Sequence, residues 1–382
     1  MLPLKGRTIL YLVTEDWYFW SHRLPVARAA RDAGARVVVA SNFDRHRDRI
    51  LGEGFETVPV PFDRSGLNPF RDAGTLAAIV SAYRRIRPDI VHQVAVKPVL
   101  YGTLAAWLTG RHAVINAMAG LGFLFTGGGA RARLLRAPFA LALRLLDRAT
   151  SARTIVQNPD DRAALVAAGL DPGRIVLIPG SGIDTAAFTP QPEPGEGPVV
   201  AVCVSRMLWD KGIGELVEAA RLLRQRGAPV LVRLVGGTDS NPARIEPAQL
   251  DAWQREGIVE IAGHRTDIAA EYARAHIAVL PSYREGLPKS LLEAAACGRP
   301  IIATDVPGCR EICIASETGL LVPPRDPAAL AAAIATLAAD QALRHTFGRK
   351  ARHLAETRFD QGLIAAQTLA LYRRSLGAPD GT

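Results

Sequence analysis

Short runs of aliphatic and β-branched residues alternate along this chain with longer stretches in which apolar residues recur every three or four positions. RTILYLVT (7–14) is apolar on both faces, as a strand buried in a parallel sheet must be. A helix is expected over His22–Ala33, with Ser21 as its N-cap and Gly34 just past its end. ARVVVAS (35–41), TVPVPF (57–62), DIVHQV (89–94), AVINAM (113–118), TIVQN (154–158) and RIVLIPG (174–180) read as further strands. Helices are expected between them over Gly74–Arg87, Leu100–Leu108 and near 131–149. Strands separated by 10–15-residue helices make βαβ units and a parallel sheet.

The pattern then restarts. QPEPGEGP (191–198) has the composition of a linker, and VVAVCVS (199–205) opens a second series. Strands follow over 230–236, 258–263, 277–282, 300–305 and 318–323. Helices are expected over Gly214–Arg226, Asp267–Ala275, Ser290–Cys297, Pro327–Ala338, Ala342–Thr357 and Gln361–Ser375. The expected fold is therefore α/β: two Rossmann-like, doubly wound parallel-sheet domains facing across a cleft. Residues 1–187 form the first domain, 188–198 a linker and 199–357 the second domain. A final helical segment, 358–382, returns to the first. In such sheets ligands sit outside the carboxyl ends of the strands, so the chemistry belongs in the loops that follow strands.

Charge changes this picture in one respect. The net charge of +9 comes wholly from the first half, where residues 1–187 carry 24 Lys and Arg against 15 Asp and Glu. That asymmetry suits an anionic partner such as phosphates or a lipid surface, although arginine-rich composition alone would also produce it. The basic residues form no tight runs and no nucleic-acid-reading motif is present, which argues against a nucleic-acid partner. The four cysteines, Cys203, Cys297, Cys309 and Cys313, form no CxxC pair and read as buried thiols. No 18-residue apolar run lacks charge, and the N-terminus lacks signal-peptide character, so a cytoplasmic location is expected.

The densest chemistry lies in IAVLPS-YREGLP-KSLLEAAACG (277–298), a strand, a loop and a helix. Pro288 suits the first helical turn and Gly286 frees the loop backbone for close approach. The amides of that helix start form an anion site. Glu293, inside the helix, can accept hydrogen bonds from a vicinal diol. Glu285, in the loop, can hold a sugar hydroxyl. Ribose, diphosphate and sugar in series describe a nucleotide-sugar. Upstream, SRMLWDKG supplies Arg206 and Lys211 at the end of another strand, two cations that would offset charge on a leaving diphosphate. No Asp-x-Asp pair stands at a strand end, so no metal and no other cofactor is expected.

These segments resemble the retaining glycosyltransferase family four, of the two-domain GT-B fold. The resemblance rests on the E-x₇-E spacing of Glu285 and Glu293, on E-G-x-P within it, on Arg206 and Lys211 in R-x₄-K-G, and on PGSGID (179–184). It implies that Glu285 approaches the donor sugar, Glu293 binds ribose, and Arg206 and Lys211 grip the diphosphate. Gly286, Leu287, Pro288 and Gly182 would line the donor, and the loop at His264 and Arg265 would hold the base. For the acceptor, the aromatic segment EDWYFWSHR (15–23) offers His22, and HQVAVKP (92–98) offers His92 and Lys97; cleft contact and packing both fit these residues. Asn116 stands near where relatives carry a histidine, in a glycine-rich loop expected over 116–129. The helix near 131–149 places Arg133, Arg136, Arg144 and Arg148 on one arc and Leu134, Leu135, Leu141, Leu145 and Leu146 opposite, as a basic amphipathic helix resting on an anionic membrane would.

The resulting expectation is a metal-independent, retaining transferase acting peripherally at the inner face of the cytoplasmic membrane in polysaccharide assembly. It would move a hexose or N-acetylhexosamine from a UDP-sugar to a hydroxyl of a polyprenyl-diphosphate-linked glycan. Two rivals are a UDP-N-acetylglucosamine 2-epimerase, which needs cleft carboxylates and histidines that cannot be placed here, and a non-catalytic nucleotide-sugar sensor.

Overall fold

Strands apolar on both faces need helices on both sides of the sheet, and that demand shapes each half of the molecule. The computed structural model describes residues 4–63, 68–110, 113–118, 130–238 and 241–377, and of residues 130–137 the backbone alone. The chain forms two compact units. One comprises residues up to Ser181 together with those from Gln361 onward; the other is Gly182–Asp360.

The first unit holds a seven-stranded parallel sheet in the order β3-β2-β1-β4-β5-β6-β7. Its strands are β1 (Thr8–Glu15), β2 (Arg36–Asn42), β3 (Glu56–Pro59), β4 (Ile90–Val94), β5 (Ala113–Ala117), β6 (Arg153–Val156) and β7 (Ile175–Leu177). Alternate residues of β1 serve opposite cores. Ile9, Tyr11 and Val13 meet α1 (Asp16–His22), α2 (Leu24–Asp32) and α3 (Arg47–Gly52), while Leu10 and Leu12 face the side of α4 (Pro69–Ile86) and α5 (Val96–Thr109). Two further helices, α6 (Ala130–Thr150) and α7 (Pro159–Ala167), extend the layer of α4 and α5.

The second unit holds a six-stranded parallel sheet in the order β10-β9-β8-β11-β12-β13. Its strands are β8 (Val199–Val204), β9 (Val230–Val235), β10 (Glu260–Gly263), β11 (Ile277–Leu280), β12 (Ile301–Thr304) and β13 (Gly319–Val322). Its helices are α8 (Ile213–Gln225), α9 (Pro247–Arg255), α10 (Ile268–Ala273), α11 (Lys289–Ala296), α12 (Pro327–Ala339) and α13 (Gln341–Arg358). The last helix, α14 (Gln361–Ser375), packs on α2, and its Ile364, Leu369, Leu371 and Tyr372 complete the first unit's core.

Several details differ from expectation. The aromatic stretch after β1 is itself helical. Asp16, 1% exposed, accepts hydrogen bonds from the amides of Asp44 and His46 and so ties α1 to the loop after β2. Helices α3, α7 and α9 were not foreseen. Residues 188–198 belong to the second unit and are fastened to it. Arg299 donates to the carbonyls of Gln191 (3.0 Å) and Pro192 (3.2 Å), and Arg344 pairs with Glu193 at 2.8 Å. Proline and glycine made this segment read as a linker, yet Arg299 and Arg352 bind its carbonyls and Arg344 its one buried carboxylate. In α6, Leu141 and Leu145 face solvent, while Phe139, Leu143 and Asp147 are buried.

Candidate active site

In the second sheet the strand order reverses between β8 and β11, and a crevice forms at the carboxyl ends of strands where such a reversal occurs. Both cation-bearing and acid-bearing segments follow these two strands. After β8 the chain passes Arg206, exposed at the strand end, and makes a short 3-10 turn over Trp209–Lys211. Gly212 closes this turn with φ +69°, where a Cβ would come within 2.1 Å of the Pro281 carbonyl oxygen. Only glycine allows the two loops to lie this close.

The loop after β11 is bound to that turn. The Tyr283 amide donates to the Asp210 carbonyl at 2.9 Å, and the Ser282 hydroxyl donates to the same oxygen at 3.3 Å. Lys211 Nζ stands 2.5 Å from Glu285 Oε1, both side chains being largely shielded. An ammonium and a carboxylate held this way at a strand-end crevice pre-position each other. A second glycine presses from behind: at Gly308 (φ +79°) a Cβ would lie 2.3 Å from the Gly286 oxygen and 2.9 Å from that of Glu285.

Helix α11 starts at Lys289, with Pro288 at the N-cap rather than inside the first turn. The Pro288 carbonyl takes the amides of Leu291 and Leu292, and proline has no side-chain oxygen with which to cap the helix. The positive end of the helix dipole therefore lies beside Leu287 and Gly286, where an anion is favoured. Glu293, one turn further on, is 8% exposed. Burial pushes its carboxyl up to about 7, against the pull of Lys289, whose Nζ is 3.8 Å away. A buried acid with one distant cation is set to accept hydrogen bonds that the protein itself does not supply. The loop after β10 carries His264 and Arg265, both exposed, with Arg265 3.7 Å from the buried Glu271. Gly182, at φ +71°, begins the second unit.

Sequence reasoning missed the brace behind Glu285. The Tyr283 hydroxyl donates to Glu215 of α8, and the Arg325 guanidinium stacks over the Tyr283 ring at 4.5 Å. Arg325 adopts φ +61°, an unfavourable backbone for any residue but glycine. The tyrosine is visible in the motif, but its partners lie 68 positions before it and 42 after it, so no local signal names them. Two buried thiols lie under the same pair: Cys203 is pushed up to about 11 and Cys309 well above its usual range, chiefly by burial. These thiols are packing groups. Among the described residues no group of three or more His, Cys, Asp or Glu stands where it could hold a metal ion.

The first unit corrects two acceptor assignments. His92 lies mid-strand, fully buried, its Nδ1 2.5 Å from the Tyr372 hydroxyl and its ring stacked on Tyr11. Burial pushes its pKa well down, with the Arg23 charge adding to the effect. Asn116 is equally buried and takes a hydrogen bond from Thr103, which also bonds Gln93. Both residues belong to the core because a central parallel strand buries either face. Lys97 does follow β4, but it is committed to Asp72 (3.0 Å) and the Asp63 carbonyl (2.8 Å). His22 closes α1 beyond β1, stacked on Tyr18 with ring centroids 4.3 Å apart and 2.6 Å from the Ser21 hydroxyl. From Ala119 to Gly129 the glycine-rich loop lies outside the described residues, as do the side chains of Arg133 and Arg136.

Two doubly wound parallel-sheet units, one with two cations and a carboxylate at the strand-order reversal, are the architecture of a two-domain GT-B glycosyltransferase. Comparison with known proteins agrees. Residues 8–153 match the family model described as glycosyl transferase 4-like, and residues 198–340 the model for glycosyl transferases group 1. The chain is 30% identical over 369 residues to the N,N'-diacetylbacillosaminyl-diphospho-undecaprenol alpha-1,3-N-acetylgalactosaminyltransferase of Campylobacter jejuni, covering 92% of this chain and 94% of that one. It is 24% identical to the capsular polysaccharide biosynthesis glycosyltransferase CapM of Staphylococcus aureus, over 99% of this chain and 100% of that one. Among solved structures, a glycosyltransferase of Rickettsia africae superposes with a TM-score of 0.80 at 20% identity, covering 97% and 98% of the two chains. Anabaena HepE in complex with UDP and glucose superposes with a TM-score of 0.75 at 18% identity, covering 94% and 98%. The chain belongs to the family-four glycosyltransferases of the GT-B fold.

Proposed function

We propose that this glycosyltransferase transfers a hexose or N-acetylhexosamine from a UDP-sugar to a hydroxyl of a polyprenyl-diphosphate-linked glycan, with retention at the anomeric carbon. The observation that carries the reading is the Lys211–Glu285 pair, 2.5 Å apart at the β8/β11 reversal and next to the start of α11. In the ground state Glu285 neutralises Lys211. A donor diphosphate entering beside them would take over the ammonium, leaving Glu285 to receive a hydroxyl of the donor sugar. Arg206, Lys211 and the α11 amides would then face the charge that grows on the leaving diphosphate, which is where stabilisation lowers a barrier. This work falls to protein cations and amides, so no metal enters the proposal.

The acceptor oxygen attacks on the face that the diphosphate leaves. The anomeric C–O bond to phosphate breaks, the new glycosidic bond forms, and the acceptor proton passes to the departing phosphate oxygen, giving UDP. Glu293 would hold the ribose diol, and the loop at His264 and Arg265 the base. The likeness to a relative whose name gives a diphospho-undecaprenol acceptor supports the lipid-linked acceptor. The basic first unit supports work at the inner face of a membrane, and among the described residues no helix is long and apolar enough to cross one.

The test is a panel of UDP-sugars incubated with the purified chain and a polyprenyl-diphosphate-linked saccharide, with UDP release and product anomer measured. One donor should release UDP only when acceptor is present and give a product of the donor's own anomeric configuration. Inversion, or release independent of acceptor, would overturn the reading.

A further inference from the structure

Helix α11 has two ends, and only its start belongs to the crevice. Its other end, eight residues and about 12 Å away, meets α13 and the segment 188–198 around a cavity of about 290 Å³. Two glycines keep these elements close. A Cβ at Gly348 would stand 2.1 Å from the Gly298 oxygen, and one at Gly298 (φ +68°) would stand 3.3 Å from Pro190 Cβ. Pro190 and Pro192 form an apolar part of the wall.

Arg299 lines this cavity and is 2% exposed. Its Nε donates to the Tyr272 carbonyl at 2.8 Å, and its Nη2 to the carbonyls of Gln191, Pro192 and Ala273 at 3.0, 3.2 and 3.3 Å. Nη1 has no hydrogen-bond partner among the described residues and is not sealed from solvent, so it opens onto the cavity. No carboxylate among the described residues pairs with this guanidinium, since Glu193 is taken by Arg344 at 2.8 Å. Burial pulls the Arg299 pKa below its usual value, and the Glu193 charge offsets that only in part. A buried cation held by carbonyls alone is incompletely compensated, and an anion in the cavity would supply what is missing.

The rim adds charge of the same sign. Arg349 and His353, one turn apart on α13, are both exposed, and neither is ion-paired among the described residues. The two carboxylates that line the cavity are engaged elsewhere. Glu356 binds Arg352 at 2.6 Å, and Glu193 holds Arg344 and stands 3.7 Å from His345. A second hollow, of about 360 Å³, also borders Arg349 and His353 and brings in Lys350.

Guanidinium groups suit phosphate, which accepts their paired N–H donors. A bare phosphate would leave the proline wall unused. A nucleotide-sugar is too long for a cavity at the small end of ligand pockets, which run from about 300 to 1,000 Å³. A single sugar ring carrying a phosphate can set its C–H face on Pro190 and Pro192 and its hydroxyls toward the Gln191 amide.

We propose that this cavity is a second binding site, for a phosphorylated monosaccharide, separate from the donor crevice. The site shares no residue with the crevice and does not rest on the transfer reading. The test is calorimetry of the full chain at saturating UDP, which fills the crevice. The probes are glucose 1-phosphate, N-acetylglucosamine 1-phosphate, inorganic phosphate and glucose. One of the two esters should bind once per chain, on the order of tenfold more tightly than inorganic phosphate, and glucose should give no heat. Arg349→Ser with His353→Ser should weaken the ester on the order of tenfold. Melting temperature and UDP affinity should stay at wild-type levels, because both side chains are exposed. Arg299→Lys, which keeps the buried charge but lacks Nη1, should weaken the ester as well, whereas Lys211→Ala should leave it unchanged. Failure of both esters to bind beside UDP overturns the proposal, as does binding that the double variant retains or that Lys211→Ala removes. Inorganic phosphate bound as tightly as the better ester overturns it too, since the sugar would then contribute nothing.

Discussion

Lys211 and Glu285 are each other's principal charge partner, so each is expected to matter in two ways. Lys211→Ala should lower kcat by roughly 10²–10³, the usual loss when one donor to a developing negative charge is removed. Glu285→Gln should lower kcat as well, while UDP still binds and far-UV circular dichroism is unchanged. Stopped turnover with retained UDP binding, measured by calorimetry, is the expected signature; turnover near wild type in both variants would remove these residues from the site. Glu293 carries a pH prediction. Its folded pKa, pushed up to about 7, lies above the usual carboxyl value of 4.5, so the folded protein binds more protons than the unfolded one between those values. Stability from this group is full below pH 4.5 and falls as pH rises to 7, where the loss is on the order of 3 kcal/mol. Glu293→Gln should flatten that decline in a pH series of thermal melts. UDP whose ribose hydroxyls bond the ionised carboxylate would in turn release a proton on binding near pH 6–7, read from calorimetry in buffers of different ionisation enthalpy. The placement of Lys211 and Glu285 at strand ends was legible because each lies in a loop that follows a strand. His92 and Asn116 were not, because strand residues of a parallel sheet look alike whether they end at the crevice or stay in the core.

At the scale of elements, the site depends on three loops lying closer than side chains permit. Gly308→Ala would set a Cβ against the backbone that carries Glu285 and add a left-handed φ cost of about 1–2 kcal/mol. The expected outcome is a lowered melting temperature together with a lost kcat, whereas Gly257→Ala, with the same kind of φ but nothing within 4 Å, should cost stability alone. Equal turnover in the two variants would contradict the packing argument. The long βαβ repeats were plain in the hydrophobic pattern, since both sheets need apolar strands and one-sided helices. The short helices were not. In α7 the signals existed: Asn158 accepts from the Asp161 amide at 2.7 Å and Pro159 starts the helix. Nine residues give too few turns for a periodic stripe to stand out. In α1 the aromatic composition argues against a helix, and the buried Asp16 that anchors it acts through residues 28 and 30 positions away.

At the scale of the whole molecule, the first unit is closed by the chain's last helix. Ile364, Leu369, Leu371 and Tyr372 are buried, and Tyr372 bonds Tyr11 at 3.1 Å and His92 at 2.5 Å. Each such side chain contributes about 1.5–3 kcal/mol by burial, so four approach the entire stability of a domain. A chain ending at Asp360 should therefore be insoluble or lack a cooperative melt, and a truncated chain that melts like wild type would refute this. The helix itself was readable from the tail's own pattern, while its hydrogen bonds to β1 and β4 span some 280–361 residues and were not. The central claim remains local: the turn after β8, the loop after β11 and the start of α11 form one diphosphate site. A crystal structure of the chain with UDP tests it most directly. The account predicts both phosphates within hydrogen-bond distance of Arg206, Lys211 and the first amides of α11, with the ribose hydroxyls on Glu293. A diphosphate bound elsewhere, with Lys211 still paired to Glu285, would contradict it.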